Sequence, residues 1–194
     1  MHVVPSGRHT QRTEMEKRMI IWISGPYGVG KSTLAEAMAE RLGSALVFDA
    51  EAVGNAVREN YPELPYGVIF EDYPLWSRFC CTLLKDIHEN FRRDILVPMT
   101  LVRKGSYRMI RSLRRAGIDT KLVILEASAQ TVRERILARG EEDGCWCMEN
   151  IELSRAGSSA LPGLHVPTDG RTVDELCEFL LARLRRRETA EGGV

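Results

Sequence analysis

An eight-residue run near the amino end, Gly25-Pro26-Tyr27-Gly28-Val29-Gly30-Lys31-Ser32, constrains this chain more than any other feature. It satisfies the pattern G-x-x-x-x-G-K-[ST] at every fixed position. Its flanks match as well. Met19 to Ser24 is a short β-branched and aromatic run, apolar on both faces, as a central parallel strand requires. Lys31 to Leu42 carries Leu34, Ala35, Met38, Ala39 and Leu42 on one helical face, and Gly43 is a natural stop. Strand, glycine loop and helix in that order make an anion cradle. The glycines let successive N–H groups turn inward, and the helix adds free N–H groups and the positive end of its dipole. The pattern predicts ATP or GTP phosphates on Gly25, Pro26, Tyr27, Gly28, Val29, Gly30, Lys31, Ser32 and the adjoining Thr33. Lys31 then reaches the β- and γ-phosphates, and the Ser32 hydroxyl ligates Mg²⁺.

The alternation continues along the chain. Strands are predicted at Ala45–Asp49, Ile95–Pro98, Lys121–Leu125 and Leu164–Val166. Helices are predicted at Ala50–Asn60, Leu75–Arg92, Ser106–Ala116, Ala129–Arg139, Met148–Ser158 and Val173–Arg187. Five strands alternating with helices predict an α/β fold of three layers, a five-stranded parallel sheet with helices on both faces. At 194 residues with 44% apolar content this is one domain, spanning about 19–187. Residues 1–18 are polar and aperiodic and are expected to be a disordered extension, and 188–194 a frayed tail.

Charge and thiols narrow the environment. The 27 basic and 27 acidic residues cancel, so no general attraction to nucleic acid or an anionic membrane is expected. Five cysteines, Cys80, Cys81, Cys145, Cys147 and Cys177, have no framework spacing, which suits a reducing, cytoplasmic compartment. The Cys145-Trp146-Cys147 pair lacks a second pair and is weak as a metal site. The closing helix carries Leu176, Phe179, Leu180, Leu181 and Leu184 ahead of Arg185-Arg186-Arg187. Core packing with a basic last turn is favoured over peripheral membrane contact. The sequence is compatible with a monomer or a homodimer.

Several residues are candidates around the cradle. Asp49 ends the second strand, on the carboxyl side where ligands bind in such sheets. It suits two compatible roles, handling an acceptor hydroxyl or Mg²⁺, and capping the next helix. The third strand ends in Pro98-Met99-Thr100, with Asp94 at its amino end, so it offers no acid at its tip. That weighs against motor ATPases and favours small kinase-like proteins. Arg135 and Arg139 share a helical face, and Arg139 and Arg155 flank a glycine-bounded acidic loop. They suit a lid over about 135–155 that brings positive charge to a transferring phosphoryl group. Arg133 reads as a solvated partner of nearby acids. Tyr66, Phe70, Tyr73, Trp76 and Phe79 form an aromatic block that suits base stacking or simple capping of the sheet. Thr100 suits a substrate hydroxyl or phosphate, or a turn cap.

Three blocks, the phosphate loop, Tyr73-Pro74-Leu75-Trp76 and Val97-Pro98-Met99-Thr100, together resemble the tunicamycin-resistance protein family of bacteria. The resemblance runs from about Met19 to Leu184. The layout is more distantly similar to chloramphenicol phosphotransferase, shikimate kinase and gluconate kinase. The resemblance implies a P-loop fold of the nucleoside-monophosphate-kinase type, ATP on Gly25 to Ser32, and Asp49 facing the substrate. It also implies Arg135 and Arg139 in the lid and Val166-Pro167-Thr168-Asp169-Gly170 near the adenine. The expected activity is ATP-dependent phosphotransfer to a nucleoside-type antibiotic or similar small molecule, with catalytic roles for Lys31, Asp49 and Arg139. Asp49, Tyr73, Trp76, Thr100 and Arg155 are the expected substrate contacts. Sequestration of the drug without catalysis, and phosphorylation of an ordinary metabolite, are the alternatives.

Overall fold

The structure, a computed structural model, describes residues 18–61, 63, 69–91 and 93–185. The expected disordered extension and frayed tail therefore lie essentially outside the described residues, as does Tyr66.

Five strands form one parallel sheet: β1 (Met19–Ser24), β2 (Leu46–Val47), β3 (Ile95–Pro98), β4 (Asp119–Glu126) and β5 (Leu164–Pro167), in the order β2-β3-β1-β4-β5. Pleating sends alternate side chains to opposite faces. Ile20, Trp22, Ile95, Val97, Leu122 and Ile124 enter one core, while Met19, Ile21, Ile23, Leu96, Val123 and Leu125 enter the other. Burial on both faces explains why these strands read as unbroken apolar runs rather than alternating ones.

The first core is closed by α2 (Ala50–Glu59), α3 (Pro74–Phe91) and α4 (Tyr107–Arg115). The second is closed by α1 (Lys31–Leu42), α5 (Ala129–Ala138), α6 (Trp146–Glu149), α7 (Ile151–Ser159) and α8 (Val173–Arg185). This is the three-layer α/β architecture the alternation predicts.

Three local expectations are corrected. The second strand pairs only over Leu46–Val47, because at the sheet edge the chain turns at once into a helix cap at Asp49. The single helix expected over 148–158 is two, broken at Asn150, whose side-chain amide donates to Trp146 O at 2.8 Å and closes the short α6. Phe179 is not core: α8 buries Leu176, Cys177, Leu180 and Leu184, while Phe179 faces outward beneath the Arg171 guanidinium, 5.0 Å from the ring centre. Among the described residues no helix is long and apolar enough to cross a membrane.

Candidate functional site

The order of the strands fixes where a ligand fits. β1 lies between β3 and β4; the connection from β1 runs toward β2, and that from β4 toward β5. The loops after β1 and β4 therefore diverge and leave a crevice at the carboxyl ends of the strands. A cleft of about 690 Å³ opens there.

Its floor is the glycine loop. Gly25, Gly28 and Gly30 have φ of 146°, 80° and 104°, a region that side chains other than glycine's enter only with strain. Gly28 is also pressed against α5, where an added Cβ would lie 2.4 Å from Ile136 Cγ1. α1 begins directly at the loop with no side chain capping its amino end and no acid in its first turn. Its leading N–H groups and its dipole thus face the cleft unneutralised. Ser32 and Thr33 line the cleft from that first turn.

Lys31 is buried, and its ammonium group donates to Pro26 O at 2.8 Å and Gly25 O at 3.3 Å. Desolvation drives its pKa down to about 8; Arg139 adds to the depression, while Glu51 and Cys147 oppose it. A desolvated cation held by two carbonyl dipoles, with the Tyr27 ring 6.0 Å away and no carboxylate among the described residues bonded to it, beside an uncapped helix end, is matched to an anion.

Two arginines join it. Arg135 Nη1 donates to Val29 O and Thr168 Oγ1, each at 2.9 Å, so it fastens the loop to the segment after β5. Arg139, just past α5, pairs with Glu141 at 2.7 Å, and both line the cleft. Arg171, Thr172, Val173 and Leu176 close the β5 end. Over the loop, the Trp146 ring lies 4.8 Å from that of Tyr27, tilted by 60°. Burial pushes the Tyr27 phenol above its ordinary range, and Glu71, Cys147 and Glu51 push the same way.

The other end of the cleft is built differently. Glu51, Pro98 and Thr100 line it. Thr100 is 2% exposed, and its Oγ1 has no hydrogen-bond partner. Asp49 does not line the cleft; its Oδ1 accepts from Glu51 N at 2.9 Å and Ala52 N at 3.0 Å, the capping role open to it from the sequence. The carboxylate in the wall is Glu51, two residues on.

The structure thus brings together Tyr27, Gly28, Val29, Gly30, Lys31, Ser32, Thr33, Thr100, Arg135 and Arg139 from the expected set. Tyr73, Trp76, Arg155 and Asp169, like Asp49, it places elsewhere. Tyr73 and Trp76 belong to the core; Trp76 is 0% exposed and donates its indole N–H to Ala50 O at 2.8 Å. Phe79, the last member of the aromatic block, is 47% exposed. Arg155 donates to Ala127 O at 3.1 Å and pairs with Glu152, and Asp169 accepts from Ser128 N at 3.0 Å. Both line another groove, beside Pro26 and Ser128, of about 370 Å³. Arg133 pairs with Asp143, the surface role expected of it. Cys145 donates to Glu141 Oε2 at 3.1 Å, and Cys147 lines the cleft.

Sequence reasoning missed Glu51, Glu141, Arg171 and Cys147. Glu51 had a usable signal: a second acid two positions after the one ending a parallel strand falls in the first turn of the following helix, at the ligand-binding edge of the sheet.

The family profile described as an AAA domain matches residues 20–151, more than half of the chain. The chain belongs to this AAA-domain family. None of the curated proteins matches this AAA-domain chain significantly in sequence. Solved structures do match in fold. The tunicamycin resistance protein of Deinococcus radiodurans superposes with a TM-score of 0.69 at 24% identity, over 86% of this chain and 95% of that one. A gluconokinase from Sinorhizobium meliloti 1021 gives 0.66 at 18% identity, over 91% and 98%. The APS kinase of Mycobacterium tuberculosis, solved with AMPPNP and APS, gives 0.64 at 17% identity, over 87% and 98%. The P-loop kinase-like fold implied by the resemblance is the fold found.

Proposed function

We propose that this AAA-domain protein is an ATP-dependent phosphotransferase that moves the γ-phosphoryl group of ATP to a hydroxyl of a small molecule. The observation that carries the reading is Lys31: a buried, desolvated ammonium group on a glycine-curled loop at an uncapped helix end. Those groups fit a nucleoside triphosphate, whose phosphates take over the contacts Lys31 makes to Pro26 and Gly25. Ser32, which lines the cleft from the first turn of α1, would ligate a phosphate-bound Mg²⁺. Among the described residues no three His, Cys, Asp or Glu side chains converge. When bound with the nucleotide, Mg²⁺ would neutralise charge on the phosphates. Arg139, freed from Glu141, supplies a further positive charge where negative charge develops. The segment carrying Arg139, Glu141 and Trp146 acts as the lid. Arg135, Arg171 and Thr172 serve the nucleotide's other end. Asp49 acts on the acceptor by holding the first turn of α2 in place.

The shared fold with a tunicamycin resistance protein makes a nucleoside-type antibiotic the first acceptor to try. Five unpaired cysteines and a need for ATP suit the cytoplasm. Incubation with ATP, Mg²⁺ and tunicamycin, read by mass spectrometry, tests the reading; phosphorylated drug and ADP are expected. A Lys31→Ala protein that binds ATP as tightly as the parent would overturn the nucleotide site itself.

A second reading is sequestration of the small molecule with ATP as a structural ligand. It draws on β3, whose tip carries Pro98 and Met99, while Asp94 sits at the amino end and accepts from Met19 N at 2.9 Å. Stoichiometric drug binding without ADP formation distinguishes it.

A further inference from the structure

A cleft of about 280 Å³ opens at the other end of the sheet from the nucleotide cleft. Lys121 and Leu122, at the amino end of β4, line it, whereas Leu125, near the carboxyl end of the same strand, lines the nucleotide cleft. Leu164, where the edge strand β5 begins, lines it too. Three elements each contribute a cation: Arg114 from α4, Lys121 from β4 and Arg183 from α8. Among the described residues no acid lines this cleft. The chain as a whole carries no net charge, so the excess of cations belongs to this place and not to the composition.

We propose that this cleft binds a small phosphate monoester, with the phosphate held by Arg114, Lys121 and Arg183 and a short carbon skeleton against Leu164 and Leu184. The site is independent of the phosphotransfer reading and stands or falls without it. The first observation behind it is the convergence of donors. α4 closes one face of the sheet and α8 the other, so the cations arrive from three directions. A tetrahedral group with three outer oxygens can meet all of them, whereas a planar carboxylate offers two oxygens in one plane.

The second observation is that Arg114 is fixed in advance. Its Nε donates to Thr120 O at 2.8 Å and its Nη1 to Tyr107 Oη at 2.8 Å, and its Nη2 makes no hydrogen bond among the described residues. A guanidinium already held in place loses little freedom when a ligand arrives. The third is charge left uncompensated. Lys121 pairs with Asp119 at 2.8 Å and keeps further N–H donors to offer, while Arg114 and Arg183 have no acid partner among the described residues. α4 and α8 end nearby, and each helix end contributes about half a negative unit. The three cations outweigh Asp119 and both ends together. The volume sets the size of the ligand: it is below the roughly 300 Å³ at which pockets for drug-sized ligands begin, too small for a nucleoside triphosphate.

Calorimetric titration of the full chain with glycerol 3-phosphate, glycerol and succinate tests this. Because the phosphate loop also accepts phosphate, each titration is repeated on Lys31→Ala, which should keep the binding event of this cleft. Glycerol 3-phosphate should bind, glycerol should not, and succinate should bind more weakly. Arg183→Glu should weaken glycerol 3-phosphate about tenfold or more, the scale of one reversed charge contact, with melting temperature and ATP affinity at parental values. Arg114→Gln should weaken it as well, and lower the melting temperature because the bond to Thr120 O goes with it. Amide resonances of Gly163 and Leu164 should shift on titration of Lys31→Ala, and those of Gly28 and Gly30 should not. No binding to the Lys31→Ala chain, parental affinity in Arg183→Glu, or shifts confined to Gly28 and Gly30 overturns the site. Succinate bound more tightly than glycerol 3-phosphate overturns its assignment to phosphate.

Discussion

Arg135 and Val29 are joined at the edge of the phosphate loop: Arg135 Nη1 donates to Val29 O at 2.9 Å, while Nη2 donates to Thr168 O at 3.1 Å. One guanidinium thus fastens the phosphate loop to the segment after β5. The planar fork is what makes this possible, since two donors in fixed geometry address two carbonyls at once. Arg135→Ala should destabilise the fold by about 2 kcal/mol, the usual scale for hydrogen bonds from a charged donor. Arg135→Lys should recover little of it. Melting temperature and ATP affinity, measured together, should fall in both variants. A lysine variant equal to the parent would show that charge alone suffices.

Lys31 makes ATP binding pH-dependent. Its pKa of about 8 lies below the ordinary 10.5, because burial disfavours the charged form. Phosphate binding favours that form and raises the pKa again. Above pH 8, binding must therefore take up a proton, and affinity should fall toward tenfold per pH unit. Stability of the ligand-free chain moves the other way. Between about 8 and 10.5 the unfolded chain holds more protons than the folded one, so this group's penalty fades as pH rises. Calorimetry in buffers of different ionisation heat would detect the uptake. Affinity flat from pH 7.5 to 9.5 would contradict a depressed Lys31 pKa.

Trp76 separates a packing role from a binding role. It is fully buried, stacked near Phe70 and bonded to Ala50 O at the start of α2. Trp76→Phe leaves that carbonyl short of a donor and opens a small void, which together should destabilise by about 2 kcal/mol. Acceptor KM should not change beyond what a looser α2 produces. A large rise in KM with an unchanged melting temperature would return Trp76 to the acceptor site.

The parts legible in the sequence are those fixed by local chemistry. The phosphate loop is contiguous, so its glycines, Lys31 and Ser32 could be read residue by residue. The sheet was legible because buried parallel strands are apolar on both faces and helices fall between them. The aromatic block was ambiguous for a physical reason: helical spacing says that Trp76 shares a face with Cys80 and Leu84, but not whether that face meets a core or a ligand. Arg155 and Asp169 have the right position in sequence, but Arg155 donates to Ala127 O and Asp169 accepts from Ser128 N, which holds both beside another groove. Glu51 was hidden behind Asp49, because a strong cap residue accounts for the strand end by itself.

Trp146 offers a direct readout of the segment over the loop. Trp22 and Trp76 are both 0% exposed, whereas Trp146 is 43% exposed and packs on Tyr27 at 4.8 Å. A polar quencher such as acrylamide should therefore sample Trp146 almost alone. If the segment closes on bound nucleotide, ATP should shield Trp146 and lower the quenching constant, and a Trp146→Phe protein should lose the signal. The aromatic pair also contributes to closure. Trp146→Ala should weaken ATP binding about three- to tenfold, the equivalent of an aromatic contact of about 1 kcal/mol. Melting temperature should change little, because an exposed indole contributes little burial. Quenching that ATP leaves unchanged, at concentrations where binding is saturated, would mean that this segment does not close and that Arg139 stays with Glu141.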